Sequence, residues 1–453
     1  MLSLKLFSAR TAGFLIFLLF SSAPSAFADA VETESFQLDN GLQVVVIPQR
    51  RVPLVAHMLW YKVGSADEPA GQSGIAHLFE HLMFKETATN AAGELSKAVK
   101  RVGGELNAFT TQDFTAYYEF IPSDALGQMM AFEADRMRNL VLDQKNLDSE
   151  REVVLEERAL NIDNRPGGIV EEGLMAALFQ NHPYGKDIIG WRHEIEAITR
   201  DQLVEFYNRH YTPNNAVLVV VGDVDVATVR TLVEETYGKI DRGPDLPPRS
   251  RPTEPEPRTL RSVSLSDPRV GLPTLSRRWF APAFFPDAHE EADALLVFGE
   301  ILGGGPRSRL YRELVVNTRI ASDASAAFHA GLLDYSIFSV DATPLKAGDL
   351  PEVERAIEAE IARIVEEGVP EKELETAKKA LASRLTFAED ELLERAYQYG
   401  QVLVAGGTTA DLGRMRERID AVTADEIRAV AETYLNARTA VTGYLLPEEE
   451  EKQ

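Results

Sequence analysis

With 453 residues, 45% of them hydrophobic, the chain is longer than a single compact core, about 250 to 300 residues, and two domains are expected. Its net charge of −24 argues against a nucleic-acid partner, whose phosphates call for a cationic surface. The absence of cysteine excludes disulfides, thiolate ligands and a cysteine nucleophile, so any metal site must use His, Asp or Glu.

The chain opens with Lys5 and Arg10, an apolar run from Ala12 to Phe20, and small residues ending in Ala26-Phe27-Ala28. This order predicts a secretory signal peptide, residues 1–28, cleaved after Ala28. The apolar run is too short for a membrane span, which needs about 20 residues. Cleavage removes two cations and no carboxylate side chain, taking the net charge from −24 to −26. No later run has transmembrane length, so a soluble exported protein is expected. Export without disulfides suits the bacterial periplasm.

Phe36 to Pro48 reads as a hairpin turning at Asp39-Asn40-Gly41, and Val55 to Val63 as a further strand. Helices are expected over Gly71 to Phe84 and Leu95 to Val102, the second closed by Gly103-Gly104. Strands at Leu106 to Thr111 and Thr115 to Ile121 follow, then long helices at Ser123 to Leu140 and Asn146 to Asn161. The prolines at 244, 247, 248, 252, 255 and 257 forbid helix and central strand, making 243–258 an extended linker. It separates a first domain, 29–242, from a second, 259–446, with an acidic tail at 447–453. The domains resemble each other: Thr199, Asp201 and Ala216 recur at one common offset as Thr423, Asp425 and Ala440, each set a capped helix followed by a strand.

The chemistry concentrates in His77-Leu78-Phe79-Glu80-His81. Residues four apart share a helical face, so the two imidazoles can meet one ion, with Glu80 beside them. Neutral imidazoles leave a zinc ion enough Lewis acidity to bring the pKa of water towards about 7, and a neighbouring carboxylate can move the proton. A third protein ligand is needed, and the stretch Ser149 to Leu160 offers carboxylates. Val153, Glu157 and Leu160 form a helical stripe, which predicts that Glu157 points inward and needs a compensating cation. Glu150 lies near the same face and could support a ligand from behind; Glu152 and Glu156 are expected to face solvent.

His77-x-x-Glu80-His81 followed by Glu157 resembles the pitrilysin, or insulinase-like, zinc metallopeptidase family. The Gly103-Gly104-x-x-Asn107-Ala108 segment, Asp113, Tyr117-Tyr118, His182-Pro183-Tyr184-Gly185 and Gly303-Gly304-Gly305 with Ser308-Arg309-Leu310-Tyr311 agree with it. The resemblance implies an α+β fold of two homologous domains, each a mostly antiparallel sheet packed with helices, facing each other as a clam shell. It implies one zinc ion held by His77, His81 and Glu157, Glu80 as general base and Glu150 as supporting acid. Peptides or unfolded segments are the implied substrates, adding to the sheet edge at Asn107, Ala108 and Phe109. The chain's size matches the branch that works as dimers and includes mitochondrial processing peptidase.

One departure stands out. Family peptidases carry in the second half an arginine and a tyrosine that contact the substrate and the developing oxyanion; alignment on Ser308-Arg309-Leu310 places Val315 and Ser322 there. A homologous partner subunit supplying that pair is therefore expected. The glycines at 303–305 lack a following G-K-[ST], which sets nucleotide binding aside. His182 reads as a packed turn residue, and His57, His210 and His329 have no partner at metal spacing. Two functions remain: a zinc endopeptidase, or a non-catalytic peptide-binding scaffold of the same fold. The complete motif favours catalysis.

Overall fold

The computed structural model describes residues 33–284 and 290–448. The expected signal peptide and the last five positions of the tail, 449–453, lie outside the described residues. Two sheets organise the chain as two facing α+β halves of a clam shell. The first contains β1 (Glu34–Gln37), β2 (Gln43–Pro48), β3 (Leu54–Tyr61), β4 (Glu105–Thr110), β5 (Thr115–Pro122) and β6 (Ala216–Gly222), in the order β1-β2-β6-β3-β5-β4. The second contains β7 (Arg261–Asp267), β8 (Thr274–Pro282), β9 (Ala321–His329), β10 (Tyr335–Pro344) and β11 (Ala440–Pro447), in the order β7-β11-β8-β10-β9.

Once β1 is set aside the two orders are the same. The outer pairs β2/β6 and β7/β11 are parallel, and the remaining pairings are antiparallel. The repeated helices, Arg200–His210 and Ala424–Tyr434, both begin with a capping box, Thr199 with Gln202 and Thr423 with Glu426. The β6 sequence AVLVVVG is buried throughout, as expected of a central strand covered on both faces.

The first half's helices are α1 (Ile75–Leu82), α2 (Glu94–Arg101), α3 (Leu126–Asn139), α4 (Gln144–Arg158) and α5 (Pro166–Leu178). Two predicted helices are shorter than the sequence suggested. Gly74 takes φ +89° and starts α1 after it, in a conformation that costs a side-chain-bearing residue more than glycine. The segment expected to be helical as far as Asn161 leaves α geometry after Arg158, and Ala159–Asp163 widens into a π turn.

Each half covers one face of the other's sheet. Helix α5 brings Val170, Leu174 and Leu178 into a core with Val441 of β11. Reciprocally, the helix Leu392–Val404 packs Leu392, Ala396 and Leu403 against Trp60, Val217 and Val219. The proline-rich linker is also tied down. Arg251 donates to Asp334 Oδ2 and Asp67 Oδ1, each at 2.7 Å, and also to Asp113. Tyr184 Oη donates to Asp113 Oδ2 at 2.7 Å, and His182 Nε2 lies 3.1 Å from Asp334. The Asp113 and His-Pro-Tyr-Gly segments thus meet at one junction between the halves, with His182 packed as expected.

Candidate metal centre

Helix α1 presents His77 and His81 one turn apart, with imidazole centroids 4.9 Å from each other. Helix α4 brings Glu157 across to them: its Oε2 lies 3.7 Å from His77 Nε2 and 3.3 Å from His81 Nε2. One ligand atom from each of the three falls within 4.8 Å of the others. Tetrahedral ligands about 2.0 to 2.2 Å from zinc stand roughly 3.4 Å apart, so this donor set and its spacing fit the ion. His77 Nδ1 is buried and has no hydrogen-bond partner among the described residues.

Glu157 does not point into a core as its helical stripe predicted. Val153 and Leu160 are 45% and 62% exposed, so that face of α4 is not a core face, and the Glu157 side chain retains 35% of its exposure. Val154 and Leu155 make the buried contact instead. Of Val153, Glu157 and Leu160, only Glu157 lines the cleft that the histidines face. Glu152 and Glu156 are exposed as expected.

Glu150 is half-buried behind His81, with Oε2 3.6 Å from Nδ1 of that ring, while Lys85 pairs with its other oxygen. Burial pulls the His81 pKa down, but Glu150 and Glu157 override it and raise it to about 9. Burial, with the neighbouring His81, lowers His77 to about 4. The His81 contact holds Glu157 below the usual carboxylate range. Glu80 is raised, chiefly by burial, although its Oε2 accepts a 2.6 Å hydrogen bond from Thr110 Oγ.

A cleft of about 900 Å³ joins His77, Glu80, His81, Glu150 and Glu157 to Asn107 and Ala108 of β4. β4 is the outermost strand of its sheet, so one side of its backbone is unpaired within the sheet. Phe109 departs from the expected group: its side chain lies on the opposite face, 5.6 Å from the rings of both Trp60 and Tyr397. In the second half, Val315 packs against the apolar core and Ser322 Oγ donates to Thr343 O at 3.2 Å.

Sequence reasoning missed Lys85 and Thr110. Lys85 lies four residues after His81, just past the end of α1, and that nearness in sequence was its only signal. Thr110 had none, because its contact with Glu80 arises only when β4 folds beside α1. A second carboxylate–imidazole–hydroxyl chain exists, with His57 Nδ1 2.7 Å from Glu119 and Nε2 3.1 Å from Tyr237. All three are 0% exposed, so no substrate reaches them.

Comparison with known proteins matches residues 44–191 to the family described as insulinase, peptidase family M16, and residues 197–381 to its companion, the peptidase M16 inactive domain. The chain is 32% identical over 408 residues to an uncharacterized zinc protease of Mycobacterium leprae, covering 88% of this chain and 89% of the relative. This chain belongs to the insulinase family, M16. Another M16 relative, a probable mitochondrial-processing peptidase subunit beta of Arabidopsis thaliana, is 27% identical over 90% of this chain and 77% of its own. A crystal structure of a protease from Helicobacter pylori superposes with a TM-score of 0.85 at 29% identity, covering 92% of this chain and 100% of that one.

Proposed function

We propose that this M16 chain is a zinc-dependent endopeptidase hydrolysing peptides or unfolded segments, and that it is the catalytic subunit of a heterodimer. The observation that carries the reading is the convergence of His77, His81 and Glu157 beside Glu80 in a cleft bordered by the open edge of β4. A zinc ion held by those three residues would supply the Lewis acidity that acidifies water and polarises the scissile carbonyl.

The chain's own groups do the rest. Glu80 takes a proton from the attacking water and returns it to the leaving amine, and its burial-raised pKa moves it towards the range of an effective base. Glu150, neutralised by Lys85, holds His81 from the Nδ1 side. The backbone of β4 at Asn107 and Ala108 receives an extended peptide as an added strand, which gives affinity with little sequence preference. Phe109 supports that edge from the opposite face.

The heterodimer follows from the second half. Val315 has no donor and Ser322 has committed its proton to Thr343 O, so a homologous subunit provides the arginine and tyrosine. Residues 1–28 act as a signal peptide directing the protein to the bacterial periplasm, 29–242 and 259–446 form the two domains, and 243–258 links them.

The test is Glu80→Gln, which preserves size and removes the base. Cleavage of an unfolded peptide by the assembled enzyme should fall by at least about a hundredfold, with zinc content unchanged. Retained cleavage would remove Glu80 from the mechanism. Full activity of a verified homodimer would remove the heterodimer.

A further inference from the structure

Glu80 stands on α1 between the two histidines, and its helical position alone does not settle where its carboxylate points. Tertiary structure pins one oxygen: Thr110 Oγ donates to Glu80 Oε2 at 2.6 Å. Thr110 is buried at the end of β4, in register with Thr115 of β5. A hydroxyl has one proton to give. Thr115 gives its own to Val63 O at 3.0 Å and stands 3.5 Å from Thr110, so Glu80 is the nearest acceptor for Thr110. Glu80 Oε1 carries no hydrogen bond among the described residues, and Glu80 lines the cleft with His77 and His81.

The strand that supplies this hydroxyl also supplies Asn107 and Ala108 to the cleft, and its outer edge is open. At about 3.3 Å of rise per residue, Thr110 lies within roughly 10 Å of the backbone that a peptide would pair with. We infer that Thr110 is a positioning residue for the general base, so that one strand seats the peptide and, through Thr110 Oγ, orients the carboxylate that serves it. This rests on the reading of Glu80 as base. Proton acceptor and substrate backbone then share one rigid reference, and a peptide docked on β4 arrives already aligned with Glu80.

The experiment compares the zinc-loaded full mature enzyme with Thr110→Val, which keeps the shape, and Thr110→Ser, which keeps the hydroxyl. On an internally quenched unfolded peptide, Thr110→Val should lower kcat by about 10- to 100-fold, leaving KM and bound zinc unchanged. Thr110→Ser should restore kcat to within about threefold of wild type. Wild-type kcat in Thr110→Val, equal loss in Thr110→Ser, or parallel loss of zinc would overturn the inference. A crystal structure of zinc-loaded Thr110→Val decides it without turnover: the Glu80 carboxylate should leave its wild-type position, and an unmoved carboxylate refutes the role. Peptide cleavage by Glu80→Gln would instead sink the base assignment, leaving that crystallographic comparison to judge Thr110.

Discussion

Two helices occupy corresponding places in the two halves, one between β3 and β4 and the other between β8 and β9, and only the first offers metal-ligating side chains to a cleft. Helix α1 turns His77, Glu80 and His81 to a cleft. Its counterpart, Glu290–Gly303, buries Leu295, Val297, Phe298 and Leu302. At Gly303 a Cβ would stand 1.8 Å from Ala326 N of β9, so the helix lies directly on the strand equivalent to β4. The candidate metal site lies where close packing between helix and edge strand is withheld, and a filled interface closes the same place in the other half. The match of the second half to an inactive domain agrees with that packing.

The lent helices are reciprocal in position and unequal in tightness. A Cβ at Gly400 of Leu392–Val404 would fall 2.0 Å from the Trp60 ring, whereas one at Gly443 of β11 would meet the flexible Leu174 side chain at 2.6 Å. Gly400→Ala should therefore destabilise by about 3 kcal/mol or more, despite the gain of about 1 kcal/mol that alanine usually brings to a helix. Gly443→Ala should cost about 1 kcal/mol. Denaturant unfolding of the whole chain measures both, and equal losses would break the asymmetry.

A second contrast lies in what the central strands bury. His57 of β3 is fully buried and its pKa is lowered to about 4, chiefly by burial, while β8 contains no histidine. A base with a depressed folded pKa contributes stability that is present above its unfolded value, about 6.5, and lost as pH falls from there through about 4. Between those limits wild type should lose up to about 3 kcal/mol on this account, and His57→Gln should lack that component of the slope. Parallel pH profiles for the two proteins would show that His57 charges freely in the fold.

The smallest effect tests the exposed face of α4. Val153→Ser and Leu160→Ser should each change stability by no more than about 0.5 kcal/mol, whereas Val154→Ala should cost about 1 to 3 kcal/mol. A large loss at Leu160 would return that face to the core.

Local features were legible because their physics is local. The shared face of His77 and His81, the Thr199 and Thr423 caps and the proline linker each depend on a few neighbouring residues. The boundary at Gly74 was missed because it answers to a remote contact, the backbone of Ile189, and nothing in the sequence pattern marked the π turn after Arg158. Glu157 was selected on an apolar stripe that proves exposed, so its place beside the histidines comes from how α4 lies against α1 rather than from the pattern that suggested it. Phe109 was grouped with Asn107 and Ala108 by adjacency, although alternation turns its side chain away from Ala108 and Thr110, towards Trp60 and Tyr397.

Sequence alone set which helix offers two imidazoles and a carboxylate, that no thiol competes with them, and that a capped helix and strand recur in both halves. Tertiary structure alone decided which distant carboxylate meets the imidazoles, that Thr110 and Lys85 hold the acids beside them, and which half keeps an open cleft. The division has one physical reason. Helical phase and turn chemistry act over a few residues, whereas the gap between a helix and an edge strand depends on every side chain packed behind them.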